Sequence, residues 1–394
     1  MGVVDKREFE YIVLGCGGIG SGAAYWLARR QGSKVLGLEQ FELGHHHGGS
    51  QDHSRIIRLT YHDAAYTRLT PHTYKAWAVL EEESAVTVVT KTGSVELALQ
   101  DSPYQADIEI YAGAMDEAEI PYERLDGVEV MRRYPQFRLR QEVDALYQAD
   151  TGIADAIKGN AAHIAMARYY GATILDHCAV REIRPRDGAV DLRTDRGDFS
   201  CRRLVLTAGA WTDRVLAAVG RNLRLTVTQE QVTYYATPHL AEFAIDRFPI
   251  FIWHGEDVFY GFPVYGEVAT KAAIDASGPA VTPDTRTYEA DLERERRLEA
   301  WLQEHIPHFL GPKLYTKSCL YTMPRDRDFV VDALSEHPQI LVCVGAGHAY
   351  KFSSLLGRIL SELAIDGQTG YPINHFKLER RAITDPDYPP AFHI

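Results

Sequence analysis

The chain has 394 residues, 45% of them hydrophobic and 24% charged, enough for a large core and two domains. A formal net charge of −12 argues against nucleic acid or an anionic membrane as partner, and no apolar run reaches the roughly 20 residues of a membrane span. The opening MGVVDKREFE lacks the apolar core of a secretory signal, and the five cysteines (Cys16, Cys178, Cys201, Cys319, Cys343) lack framework spacing, so a cytoplasmic protein with free thiols is expected.

The first predicted element is a buried strand at 11–14. The glycine turn GCGGIG follows, then a helix over 21–30 and a second strand over 34–38 that ends at Glu39. Each part of this strand–helix–strand unit has a chemical reason. Gly15 allows the tight turn, Gly17 lets a pyrophosphate approach the backbone, and Gly20 lets helix and strand pack closely. The helix N-terminus offers free N–H groups to phosphate. Glu39, 19 residues after Gly20, stands where an acid accepts hydrogen bonds from ribose hydroxyls and disfavours a 2′-phosphate. A dinucleotide site is therefore expected, either NAD or FAD.

Further along, apolar spacing predicts a helix over 65–84, strand alternation over 86–99, and helices over 104–118, 127–134 and 155–170. Strands are predicted at 173–175, 180–183 and 203–207, the last running into Ala208–Gly209–Ala210–Trp211. Segments 223–235 and 249–268 are strand-rich, 288–305 reads as a charged helix, and 339–344 is a final buried strand before the glycine turn GAGHAYKF. The two late strand-to-glycine junctions suit strands rejoining the first sheet. The expected fold is thus α/β plus α+β. A discontinuous Rossmann-type domain (1–85, 150–223, 319–394) carries a second, β-rich substrate domain (86–149, 224–318). No internal repeat is present, and GHHHGG (44–49) is read as a loop near the cofactor rather than a metal site.

Five ordered motifs, GCGGIG, SRIIR (54–58), YGFP…K (260–271), CLYTMPRD (319–326) and GAGHAYKFSS (345–354), give the chain a resemblance to the monomeric sarcosine oxidase family. That family includes N-methyltryptophan oxidase, pipecolate oxidase and an imine-forming antibiotic-pathway oxidase. The resemblance implies a glutathione-reductase-like or D-amino-acid-oxidase-like FAD fold. It implies FAD attached covalently through a cysteine thioether, here at Cys319, with Lys317 and Arg325 as local cations to help the thiol ionise. The implied reaction oxidises a secondary amino acid such as sarcosine to an imine, with O2 reduced to H2O2, in a monomer.

The same resemblance implies site roles. Arg58 and Lys351 would bind the substrate carboxylate, Arg55 would lie against the flavin, and Lys271 would promote O2 reduction. Tyr260 and Tyr321 would border the substrate, while His348, read from its place in the glycine turn, is expected to cover the pocket. Gly18, Ile19, Gln40, Ser50, Val180, Ala208, Gly209, Trp211, Gly345 and Gly347 would join Gly15, Gly17, Gly20 and Glu39 around the cofactor. An extended SRIIR segment would turn Arg55 and Arg58 to opposite sides. Two departures stand out. Asp275 replaces a histidine four residues beyond Lys271, which is expected to favour a different amine by stabilising an ammonium or raising its pKa. Gln51-Asp52 replaces a histidine-glycine pair. Asp275 motivates an alternative, oxidation of a cyclic imino acid such as proline or pipecolate. An NAD-dependent dehydrogenase gives no role to Cys319 or Lys271, and a non-catalytic flavin-binding subunit leaves Arg58 and Lys351 unexplained.

Overall fold

The computed structural model describes residues 7–391. The first six residues of the segment read for a targeting signal, and the last three of the chain, lie outside that range. Among the described residues no helix is long and apolar enough to cross a membrane.

Two eight-stranded sheets and a small three-stranded one organise the described residues. In the first, strand Glu8–Leu14 pairs in parallel with Val35–Leu38 on one side and Gly197–Leu206 on the other. Thr173–Leu175 extends the sheet beyond Val35–Leu38. Successive side chains point to opposite faces: Tyr11, Val13 and Val35 pack under the helices, while Ile12, Leu14, Leu36 and Leu38 build the core beneath. Helix Gly18–Gln31 is buried almost all round, as expected of a helix clamped between sheet and other helices. Strand Gly197–Leu206 is longer than the predicted 203–207. Its first half closes a meander with Val180–Arg186 and Ala189–Thr194, and its second half pairs in parallel with Ile340–Val344.

The second sheet runs in the spatial order Lys313–Met323, Thr226–Tyr235, Thr270–Ile274, Phe259–Phe262, Ile250–His254, Ser94–Leu99, Val143–Gln148, Glu123–Asp126. One face packs Val95, Leu97, Phe251, Trp253 and Ile274 on Leu298, Trp301 and Leu302 of helix Leu292–His305. The other face looks toward the first sheet. Lys313–Met323 pairs along its length with Thr226–Tyr235, so the expected domain boundary at 318/319 falls inside a strand.

Three predicted elements are divided. The 65–84 helix is Ala64–Thr67 and Thr70–Ser84, because Pro71 has no N–H to continue the ladder. The 86–99 strand is Val89–Lys91 and Ser94–Leu99, in different sheets, separated at Gly93 with φ +68°. The 249–268 region is the antiparallel pair Ile250–His254 and Phe259–Phe262.

Candidate active site

A cavity of about 520 Å³ runs between the two large sheets. Its nucleotide end is built on the first turn of the chain. Gly15, with φ +90°, donates its N–H to Leu38 O at 2.8 Å. Gly15, Gly17, Gly18 and Ile19 line the cavity. Gly20 does not; a Cβ there would lie 1.7 Å from the Gly15 carbonyl oxygen, so it serves close packing. Ser50 Oγ accepts the Gly18 N–H at 2.9 Å. Glu39 accepts from the amides of Cys16 and Phe41 at 2.9 and 3.1 Å. Burial would raise its carboxyl, yet His45 and these amides hold it below the ordinary value. Gln40, Val180, Ala208, Gly209 and Trp211 line the same end.

The opposite end is charged and largely buried. Lys271 Nζ donates to Asp52 Oδ2 at 2.7 Å, to Ser54 O at 2.9 Å and to Ser54 Oγ at 3.0 Å. Burial pushes Lys271 down to about 8 despite Asp52. Asp52 also accepts from Tyr234 at 2.7 Å and Lys317 at 3.1 Å, with Arg55 at 3.7 Å. It holds a left-handed φ of +99°, a conformation that costs a non-glycine residue about 1 kcal/mol or more. Burial would raise the Asp52 carboxyl, but the surrounding cations hold it far below the carboxylate range.

From Lys317 to Thr322, strand Lys313–Met323 alternates half-buried and buried positions, with Lys317, Cys319 and Tyr321 on one face, and the whole stretch lines the cavity. Tyr321 donates to Asp275 Oδ1 at 3.2 Å, and Arg327 donates to Asp275 Oδ2 at 2.7 Å. Tyr260, on the neighbouring strand, lines the cavity too. Arg58 and Lys351 both lie close to Tyr61. The Arg58 Cζ lies 4.9 Å and the Lys351 Nζ 5.0 Å from its ring centroid, and Lys351 donates to the Tyr61 hydroxyl at 2.9 Å. Lys351 makes no ion pair among the described residues; burial, then Arg58, push it well below the ordinary lysine value. Arg58 donates through Nη1 to Glu96 at 2.9 Å, while its buried Nε has no partner. His348 stacks on Phe329 and engages Arg327 O through Nε2. Gly347, at φ +80°, lies against the Tyr321 ring, where a Cβ would come within 2.6 Å.

Residues 10–363 match the FAD dependent oxidoreductase family. The chain belongs to that family. Among its relatives, a monomeric sarcosine oxidase from Streptomyces avermitilis is 30% identical over 386 residues, spanning 95% of this chain and 98% of the relative. An N-methyl-L-tryptophan oxidase from Escherichia coli is 26% identical over 382 residues, spanning 95% and 99%. The solved structure of NikD, an unusual amino acid oxidase essential for nikkomycin biosynthesis, superimposes with a TM-score of 0.84 at 28% identity, covering 94% of this chain and 98% of that one. The family assignment replaces the NAD reading of the glycine turn.

The residues of this FAD-dependent oxidoreductase fit the cofactor. The N-cap of helix Gly18–Gln31 is Gly17, which supplies no side chain to the first turn, and an anion fits where such amides converge. Apart from Gly20, every residue expected around cofactor or substrate lines the one cavity. Two expectations are corrected. Arg325 does not assist the Cys319 thiol, because its guanidinium donates to Tyr388 O. Burial raises that thiol, and Arg55, then Lys271, are the cations that oppose the rise. Asp275 does not present a bare carboxylate to an amine, because Arg327 neutralises it. The sequence reading missed Asp52 as a partner of Lys271, and also Arg327, Glu96 and His254. The only signal for Asp52 was its place in the departure Gln51-Asp52, three residues before Arg55.

Proposed function

We propose that this FAD-dependent amine oxidase oxidises the C–N bond of a secondary amino acid, sarcosine or another N-methyl amino acid. The observation that carries the reading is the pair of buried cations, Arg58 and Lys351, that line the cavity close to the Tyr61 ring. Among the described residues Lys351 has no ion-pair partner, and Arg58 pairs with Glu96 while lining the same cavity. A carboxylate bound by Arg58 and Lys351 gives Lys351 an anion and offsets the charge that burial costs it. FAD, which Gly15, Gly17, Gly18 and Glu39 would hold at its nucleotide end, would supply the two-electron acceptor for the carbon beside nitrogen and the reductant that converts O2 to H2O2.

The chain's own groups prepare that exchange. Arg58 and Lys351 orient the substrate by its carboxylate. Tyr260 and Tyr321 border it, and the Asp275–Arg327 pair leaves no net charge that would hold the amine as ammonium. An amine with a free lone pair is the form that can become an imine, which water then hydrolyses to aldehyde and amino acid. Lys271 supplies positive charge where O2 gains electrons. Cys319, beside Arg55, is the proposed attachment point of the flavin through an 8α thioether, and the enzyme is proposed to act as a monomer. A second reading, a cyclic imino acid as substrate, rests on Asp275, which lies at the cavity wall paired with Tyr321 and Arg327.

Acid precipitation tests the attachment. The wild-type pellet is expected to be yellow and the Cys319→Ser pellet colourless; yellow in the wild-type supernatant removes the covalent role. Release of H2O2 across a panel of sarcosine, N-methyltryptophan, proline and pipecolate decides between substrates. Arg58→Met should lower kcat/KM on any of these by about a hundredfold or more, and an unchanged value would refute the carboxylate site.

A further inference from the structure

Behind Arg58 a chain of charged groups leads from the cavity to the surface. Glu96 is fully buried on strand Ser94–Leu99. Its Oε1 accepts from Arg58 Nη1 at 2.9 Å and Thr60 Oγ1 at 2.8 Å. Its Oε2 meets His254 Nε2 at 3.0 Å, at the end of the parallel neighbour Ile250–His254. His254 Nδ1 faces Asp107 Oδ2 at 3.6 Å. The side chains of Glu96 and His254 are 0% and 2% exposed, while that of Asp107 is 42% exposed. Tyr111, four residues after Asp107 on helix Gln105–Glu117, sets its ring against His254 with centroids 5.2 Å apart and takes a 3.4 Å contact from Arg58 Nη2. Glu96, Asp107 and Tyr111 are the titratable groups packed against His254, with Arg58 beyond Glu96.

This arrangement poses an electrostatic difficulty for the proposed carboxylate site. An Arg58–Glu96 pair alone is neutral, and Glu96 would repel an incoming carboxylate in a site with little water to screen it. A proton on His254 cancels Glu96 and leaves Arg58 as net positive charge. We infer that His254 is a positioning residue which, when protonated, neutralises Glu96 and frees the charge of Arg58 for the substrate carboxylate. The inference rests on the substrate reading above and adds a pH dependence to it. The direction agrees with the surroundings of the imidazole: burial disfavours its cation, but Asp107 and Glu96 outweigh burial and raise its pKa. The protonated form therefore persists above the ordinary histidine range, and carboxylate affinity is lost as pH rises through that raised value.

The test is binding to the holoenzyme rather than turnover. Benzoate and acetate, with benzamide as the uncharged control, are titrated between pH 5.5 and 9 and followed by the flavin absorbance change. In the wild type the Kd of both carboxylates should rise about tenfold with pH, and that of benzamide should stay flat. His254→Gln should bind carboxylates weakly at every pH, with the rise removed. Glu96→Gln, which deletes the charge to be compensated, should bind them tightly with the rise likewise removed, and it serves if the histidine variant does not fold. A rise that persists unchanged in His254→Gln or in Glu96→Gln overturns the inference while leaving the substrate site standing. Carboxylate binding indifferent to Arg58→Met overturns the substrate reading itself.

Discussion

At the scale of single residues, the Lys271–Asp52 contact is the most consequential. A lysine buried among apolar walls loses its proton readily, and burial already brings Lys271 down to about 8. Asp52, 2.7 Å away, opposes that fall. Lys271→Met should slow flavin reoxidation by O2 about a hundredfold and leave flavin reduction by substrate nearly unchanged; stopped-flow traces slowed equally in both half-reactions would remove the proposed role. Asp52→Asn should keep the cavity but let Lys271 deprotonate below pH 8. Reoxidation in that variant should therefore be slow at pH 8 and recover as pH falls toward 6, and a flat profile would show that Asp52 does not govern the lysine. The sequence made Lys271 legible through its motif. Asp52 was hidden because a charge in a loop is usually solvated, and only its left-handed φ and three donors reveal its place.

At the scale of elements, two pieces of local geometry do most of the positioning. The first is the contact between helix Gly18–Gln31 and the turn before it, where only a glycine fits at position 20. Gly20→Ala forces its methyl into the Gly15 carbonyl, a backbone atom that cannot rotate away. Loss of FAD and a stability drop of about 3 kcal/mol or more are expected, measurable by urea denaturation and flavin content. The second is the alternation of strand Lys313–Met323, which turns Lys317, Cys319 and Tyr321 to one side. That strand was not expected from the sequence, because its charged N-terminal half masks the pattern. The helix at 65–84 was over-extended for the converse reason: apolar spacing continued through Pro71, where the backbone could not.

At the scale of the whole molecule, the cavity gathers residues from segments far apart in sequence, between 14 and 58, 178 and 218, 232 and 275, and 317 and 353. A ligand touching all of them ties the two sheets together. In a Cys319→Ser variant holding FAD without a covalent bond, the melting temperature should climb with free FAD, the stabilisation reaching about 2.7 kcal/mol at a hundred times Kd. Scanning calorimetry at several FAD concentrations checks this. The buried carboxylates add a second global property. Asp52, Glu96 and Asp275 are all held below their ordinary values, Glu96 at about 2. Carboxyls depressed by folding contribute stability that is complete above the unfolded value of about 4 and lost as pH falls from there through the lowered folded values. Urea midpoints should therefore fall steeply below pH 4.

The sequence by itself determined the cofactor class and much of the first sheet, because a glycine turn, a helix start and a terminal acid interact within forty residues. It also supplied the ordered motifs that carry the proposed substrate and oxygen groups. Only the tertiary structure decided which charges face one another. Asp52 meets Lys271 across 219 positions, Arg327 meets Asp275 across 52, and His254 meets Glu96 across 158. Coulomb interactions fall with distance in space and are strengthened by burial, and neither quantity is written in the spacing of residues along a chain.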